Sequence, residues 1–263
     1  MDNTMMKANK VVEMINARGI KAEVMVKNIT GIEEIGICIG EGKGRPNVCP
    51  DFNTNNLEGL ADDLIKVYEE HKDEGEKMGD IASRYGDFDY VKDNIIPCLV
   101  PNVAEDLVSK DYLDLKVMLR FSFPDVSASI AIKKDHLAMW GDVTEDDLFD
   151  IAMKNMKDKF IDESMVDILG LPPFMDDFMR VISTKNKLYG ASALLYPELF
   201  EKYENARIIP SSIHELIVVT ESGTTDAALV DMITEVNQSQ VSPKERLSNH
   251  PYVFENGVIK GVA

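Results

Sequence analysis

The sequence predicts an α+β fold of antiparallel sheets packed with amphipathic helices, and three observations carry that reading. Apolar segments with period-two alternation lie in close pairs, as at 113–132 and 206–219. Helical-period stripes stand between these pairs and not between single strands. Strands this close in the chain join by turns and pair antiparallel, whereas a doubly wound parallel sheet needs a crossover helix after each strand. Hydrophobic residues make up 44% of the 263, enough to bury a core, which excludes a wholly disordered chain.

Taken in order, Met5, Ala8, Val11, Val12 and Ile15 recur at helical spacing, and Gly19 stands where a left-handed cap ends the helix. The segments 20–26, 35–40 and 45–49 then read as a three-stranded meander, with the glycine-rich "GEGKG" as a turn. Leu57, Leu60, Ala61, Leu64, Val67 and Tyr68 share one helical stripe that covers a face of this meander. From Asp73 to Asp93 the chain turns polar and glycine-punctuated, which marks a helical connector or a boundary between two parts. The expected organisation is a helix, meander and covering helix over 1–72, a helical or irregular connector over 73–110 and an α+β main domain over 111–263.

"IIPCLVPN" at 95–102 is apolar, but Pro97 and Pro101 bar a long regular helix there. Segments 113–123 and 126–132 follow as two strands joined by a Pro-Asp turn. "VTEDDLFDIAMKNM" predicts a helix from Glu145, because Thr144 and Asp147 have capping-box spacing and Val143 and Leu148 can staple the entry. In the last third, 178–183 reads as a strand and 190–204 as a helical stretch interrupted at Pro197. Segment 206–219 reads as strands, and 225–238 as an amphipathic helix.

The charge balance excludes several functions. Lys and Arg total 28 against 46 Asp and Glu, a formal net charge of -18, which repels phosphate backbones and excludes nucleic acid as an ordinary partner. No apolar run has the length to span a bilayer, and residues 1–18 lack the apolar centre of a secretory signal. Cys38, Cys49 and Cys98 are odd in number and widely spaced, with no CxxC pair, which suits a reducing cytoplasm.

Residues 208–219, "IIPSSIHELIVV", carry the richest mixture of reactive side chains. His214 and Glu215 begin the zinc-protease pattern HExxH, but the fifth position is Val218, so the second ligand is missing. On a continuous strand, Ser212 and His214 share a face while Glu215 points the other way, which leaves no orienting acid for a triad. The competing reading is a buried His214 that donates a ring proton to a carbonyl or carboxylate, flanked by aliphatics on both faces. Ser212, His214 and Glu215 are therefore candidates for catalysis without completing a catalytic set.

"GEGKGRP" lacks the Ser or Thr and the helix that a P-loop needs after Lys43. The acidic clusters at 62–63, 145–147 and 176–177 lack the ligand spacing of a calcium loop and read as helix starts and solvated faces. Trp140 and His136 could line a pocket, with the tryptophan as a ligand or partner anchor, but the simpler reading of Trp140 is core. Asn186, Tyr189 and Tyr196 in "NKLYGASALLYP" put polar-tipped groups at a strand-to-helix junction where small ligands bind, and are the candidate ligand-binding residues. No cofactor and no metal is implied.

Three stretches, 131–156, 186–219 and 232–254, together resemble domain-of-unknown-function family 5688, proteins of anaerobic Gram-positive bacteria. "YGASALLYP" and "IPSSIHE" are the most specific parts of the resemblance, which also extends to the first helix and meander. It implies a bacterial cytoplasmic protein and carries over no catalytic residue. The expected function is a non-enzymatic binding or regulatory protein with a protein partner. One alternative is a hydrolase using His214 with Ser212 or Glu215, completed by a distant acid such as Asp226. Another is an acidic DNA mimic, against which stands the lack of phosphate-like phasing in the acidic residues.

Overall fold

The computed structural model describes residues 2–28, 33–42, 45–124, 129–172, 178–220 and 225–262, with the side chains of 2, 73–78, 80 and 82 outside the description. The chain forms two compact units, Met1–Val91 with Phe123–Ala128, and Lys92–Ser122 with Ser129–Ala263. Both are built from helices and antiparallel sheets, the α+β class the sequence predicts.

In the first unit, helix α1 (Asp2–Ala17) ends at Gly19, whose φ of +81° is the left-handed cap its position predicts. Strands β1 (Ala22–Asn28), β2 (Glu33–Ile39) and β3 (Asn47–Val48) form the expected antiparallel meander. Period-two alternation puts Ile37 and Ile39 on one face, where they pack with Val11 and Ile15 of α1. Ala61 and Leu64 of α2 (Leu57–Arg84) complete this core. Asn56 starts α2 by accepting the Gly59 N–H at 3.0 Å. The helix continues well past residue 72 through the polar stretch that reads as a connector, and a short helix α3 (Phe88–Val91) follows. Gly40 and Gly42 have φ of +94° and +89°, as a glycine-rich turn requires, while Lys43 and Gly44 lie outside the described residues.

The second unit begins with β4 (Ile95–Val100), every residue of which is buried. Pro97 is tolerated because β4 is an edge strand paired only with β6. Its carbonyl faces away from that ladder and accepts the Ser192 hydroxyl at 2.9 Å. Strands β5 (Ser109–Tyr112), β6 (Leu115–Ser122) and β7 (Ser129–Ala131) complete a four-stranded sheet, in which β6 pairs with all three others. The Pro-Asp turn between β6 and β7 falls largely on 125–128, outside the described residues.

Helix α4 (Glu145–Met156) has the predicted capping box: Thr144 Oγ1 accepts the Asp147 N–H at 3.1 Å, and Asp147 Oδ2 accepts the Thr144 N–H at 2.9 Å. Its buried stripe is Leu148, Ala152 and Met156, at i, i+4 and i+8. Strand β8 (Phe160–Ser164), helix α5 (Met165–Ile168) and strand β9 (Met179–Thr184) follow, then two 3-10 helices, Gly190–Leu195 and Pro197–Tyr203. Strands β10 (Arg207–Ser212) and β11 (Glu215–Val219), helix α6 (Asp226–Ser239), and strands β12 (Tyr252–Glu255) and β13 (Val258–Gly261) close the chain. The second sheet has the order β13-β12-β10-β11-β9-β8, all neighbours antiparallel.

One local expectation is overturned. Segment 208–219 is not a continuous strand, because the chain reverses at Ile213-His214 and Ser212 pairs across the hairpin with Glu215. The parity that put Ser212 and His214 on one face therefore does not hold. Neither turn residue belongs to the Gly, Pro, Asn or Asp set that announces a tight turn in sequence, so tertiary hydrogen bonds must hold this one.

Candidate functional site

The β10–β11 turn docks on the start of the 3-10 helix Gly190–Leu195. The first N–H groups of any helix lack internal acceptors, and here the turn supplies them. Gly190 N–H donates to the His214 carbonyl at 3.0 Å, and Ala191 N–H to the Ile213 carbonyl at 3.3 Å. Ser183 Oγ adds a third donor, 2.8 Å from the same His214 oxygen. A Cβ on residue 190 would lie 2.4 Å from that oxygen and 2.5 Å from Ser183 Cα, so only glycine allows the approach. Ile213 N–H in turn donates to Glu245 O at 2.8 Å.

The side chains of the turn are engaged in the same lock. His214 Nδ1 accepts the Tyr189 backbone N–H at 3.2 Å, so in the neutral ring the proton resides on Nε2. Burial pushes the imidazole below its usual protonation range, against the opposing pull of the Glu245 and Glu215 carboxylates. This bond is one the ring accepts, whereas the sequence reading of a buried histidine expects one that it donates, a role left to Nε2. Ser212 Oγ accepts the His214 backbone N–H at 3.0 Å, and Ser211 Oγ donates to Glu215 Oε1 at 3.1 Å. Asp226, the distant acid considered for a hydrolase, holds Arg207 at the other end of β10 through contacts of 2.6 and 3.0 Å. That guanidinium keeps its carboxyl below the usual range.

Tyr189 has a φ of +57°, a left-handed conformation unusual for an aromatic residue. Its ring lies 5.5 Å from that of His214, and its hydroxyl is 2.8 Å from Ser129 Oγ, which also accepts from Arg120 Nε at 2.8 Å. Tyr196 is buried, donates to Met153 O at 2.7 Å and has its hydroxyl pKa raised by burial. Tyr196 packs with Ile96 and Met156, and Tyr189 lies against the same cluster. The structure therefore brings Ser212, His214, Glu215 and Tyr189 together as a hydrogen-bonded scaffold and leaves Tyr196 in the core behind it.

On the far side of the β9-to-helix loop a pocket of about 310 Å³ opens. Ile96 of β4, Met156 of α4 and Leu188 give it apolar walls, and Thr184, Lys185, Asn186, Ser122, Asp158 and Lys159 supply its polar lining. The volume is at the small end of the roughly 300–1,000 Å³ usual for ligand sites. The loop is held from within: Thr184 Oγ1 accepts the Leu188 N–H at 3.0 Å and lies 2.7 Å from Asn186 Oδ1. Lys187 is left-handed at φ +56°. Of the sequence candidates, Asn186 lines this pocket.

Sequence reasoning did not single out Lys159 and Lys185. Their signal is charge patterning: "KNMKDK" at 154–159 and "KNK" at 185–187 are lysine-rich runs in a strongly acidic chain. That the two runs meet across one cavity is visible only in the fold. Trp140 is core, and His136 repeats the His214 device by accepting the Lys133 N–H on Nδ1 at 3.2 Å. Among the acidic groups, Asp147 serves the cap and Asp62 pairs with Arg18 at 2.5 Å, whereas Asp176 and Asp177 lie outside the described residues. Among the described residues no three His, Cys, Asp or Glu side chains gather as metal ligands, and no helix is long and apolar enough to cross a membrane. Cys98 is buried, which pushes its thiol up to about 12.

Fold and site together define an α+β protein with an internally locked hairpin and a lysine-rimmed pocket in its second unit. The chain belongs to the family of unknown function DUF5688, whose model matches residues 50–256. The match takes in the hairpin lock and the pocket, and it begins after β3, so α1 and the meander lie outside it. No curated protein and no solved structure matches the chain.

Proposed function

We propose that the protein is a non-enzymatic cytoplasmic binding protein whose pocket at the β9 loop takes a small ligand. The observation that carries this reading is a contrast in hydrogen bonding. Ser212, His214 and Glu215, the side chains that could act on a substrate, are committed to groups of their own turn or of the segment it docks against, while the pocket keeps polar side chains beside apolar walls. Ligand sites have this composition, mostly apolar walls with a few polar groups that fix orientation. The free thiols of Cys38 and Cys98 suit a reducing compartment.

The test is equilibrium dialysis of the purified full chain against a small-molecule extract, with mass spectrometry of what is retained. Retention by the wild type and its loss in Leu188→Trp, which fills the pocket from its own wall, is the expected result. Circular dichroism confirms that the variant is folded. Equal retention by both proteins moves binding elsewhere and ends this reading.

A further inference from the structure

We propose that the ligand is a small organic monoanion, a carboxylate carried on an apolar body, with its oxygens between Lys159 and Lys185 and its body against Ile96, Met156 and Leu188. The inference rests on the binding role of the pocket and adds the chemistry of what enters it.

Three observations support it. First, most of the uncommitted polar capacity of the lining is of the donor kind. Among the described residues neither Lys159 nor Lys185 has an ion-pair partner, although the chain holds 46 acidic residues against 28 basic ones. Asn186 commits Oδ1 to the loop and leaves its Nδ2 donor over, and Ser122 adds a hydroxyl. A lining rich in donors is matched by a ligand of acceptors.

Second, the lysines come from two elements. Lys154, Lys157 and Lys159 lie at the end of α4 or just beyond it, where cations complement the helix dipole without any ligand. Lys157 is further occupied with Glu198 at 3.5 Å. Lys185 and Lys187 sit on the loop after β9, where no helix end explains them, and Lys185 is turned to the same cavity as Lys159. Pairing of Phe160 with Thr184 between β8 and β9 fixes this convergence, because residues 159 and 185 are the next positions out on the two strands.

Third, the charges set the valence. Lys159 and Lys185 against Asp158 leave one net positive charge in the lining, which a monoanion neutralises and a dianion overshoots. Ile96 and Met156 are already buried, and half-buried Leu188 beside them gives a hydrocarbon part of the ligand an apolar surface that an inorganic anion would leave uncovered.

The experiment measures binding of hexanoate, hexan-1-ol, hexylammonium and hexyl phosphate to the wild type, K159E and K185E, at low and high salt. Hexanoate is expected to bind the wild type, to weaken about tenfold or more in each variant, and to weaken as salt rises, with hexylammonium not binding. Both lysines are exposed, so melting curves of the variants should match the wild type. If hexan-1-ol binds as tightly as hexanoate, the anion assignment falls while the binding role stands. Hexyl phosphate binding tenfold tighter than hexanoate overturns the monocarboxylate class. If none of the four probes binds, this ligand class is wrong, and the Leu188→Trp dialysis decides separately whether the pocket binds anything.

Discussion

Two turns of the second unit, the β10–β11 turn around His214 and the β9 loop around Asn186, have similar polar content and opposite fates. In the first, Ser211, Ser212, His214 and Glu215 all find partners within the turn or on the segment it docks against. In the second, Thr184 and Asn186 Oδ1 shape the loop, while Lys185 lines a cavity and has no ion-pair partner among the described residues. A buried polar group left unpaired costs free energy, so reactive-looking residues that satisfy one another are first of all scaffold. Exposed charges beside a cavity are solvated at little cost and are open to a ligand. Composition alone does not distinguish the two cases, since "SSIHE" is the more reactive-looking string.

The sharpest way to break the contrast is Gly190→Ala. The added Cβ meets backbone on two sides, so the hairpin must lift off the 3-10 helix, and stability should fall by ~3 kcal/mol or more in denaturant titration. A change below ~1 kcal/mol would mean that the lock is not what holds the turn. His214→Ala removes the acceptor of the Tyr189 N–H and should cost roughly 1–3 kcal/mol. His214→Asn, which keeps an acceptor oxygen, should recover part of that loss. An unchanged melting temperature in His214→Ala would return the imidazole to the list of functional groups.

A smaller effect is expected from pH. The folded-state protonation point of His214 is depressed, so above about 6.5 the ring is neutral in both states and its contribution is whole. As pH falls below that value the unfolded chain takes up the proton first, and stability is lost until the folded ring protonates as well. The wild type should therefore lose more stability than His214→Asn over this interval. His136, depressed mainly by burial in the same way, contributes equally to both proteins and cancels in the comparison. The smallest change in stability is expected for Lys185→Glu, within about 0.5 kcal/mol, because the side chain is exposed and has no ion-pair partner among the described residues. A larger loss there would show that the pocket rim is also scaffold.

Periodicity and capping chemistry made much of this molecule legible before any coordinates. The α+β class, the first helix with its Gly19 stop, the meander and the Thr144–Asp147 box follow from short-range rules in which a few neighbouring side chains decide the backbone. Strands β5, β8, β12 and β13 were not legible, since their short or polar segments, such as Phe160–Ser164, take strand form only because a neighbour pairs with them. The tertiary structure alone placed the reversal at Ile213-His214, because the hydrogen bonds that hold it come from Ser183, Tyr189, Gly190, Ala191 and Glu245. It also brought Lys159 and Lys185 to one cavity. Local sequence sets which backbone shapes are cheap, but a turn without turn residues and a site built from separate strands depend on contacts between segments far apart in the chain.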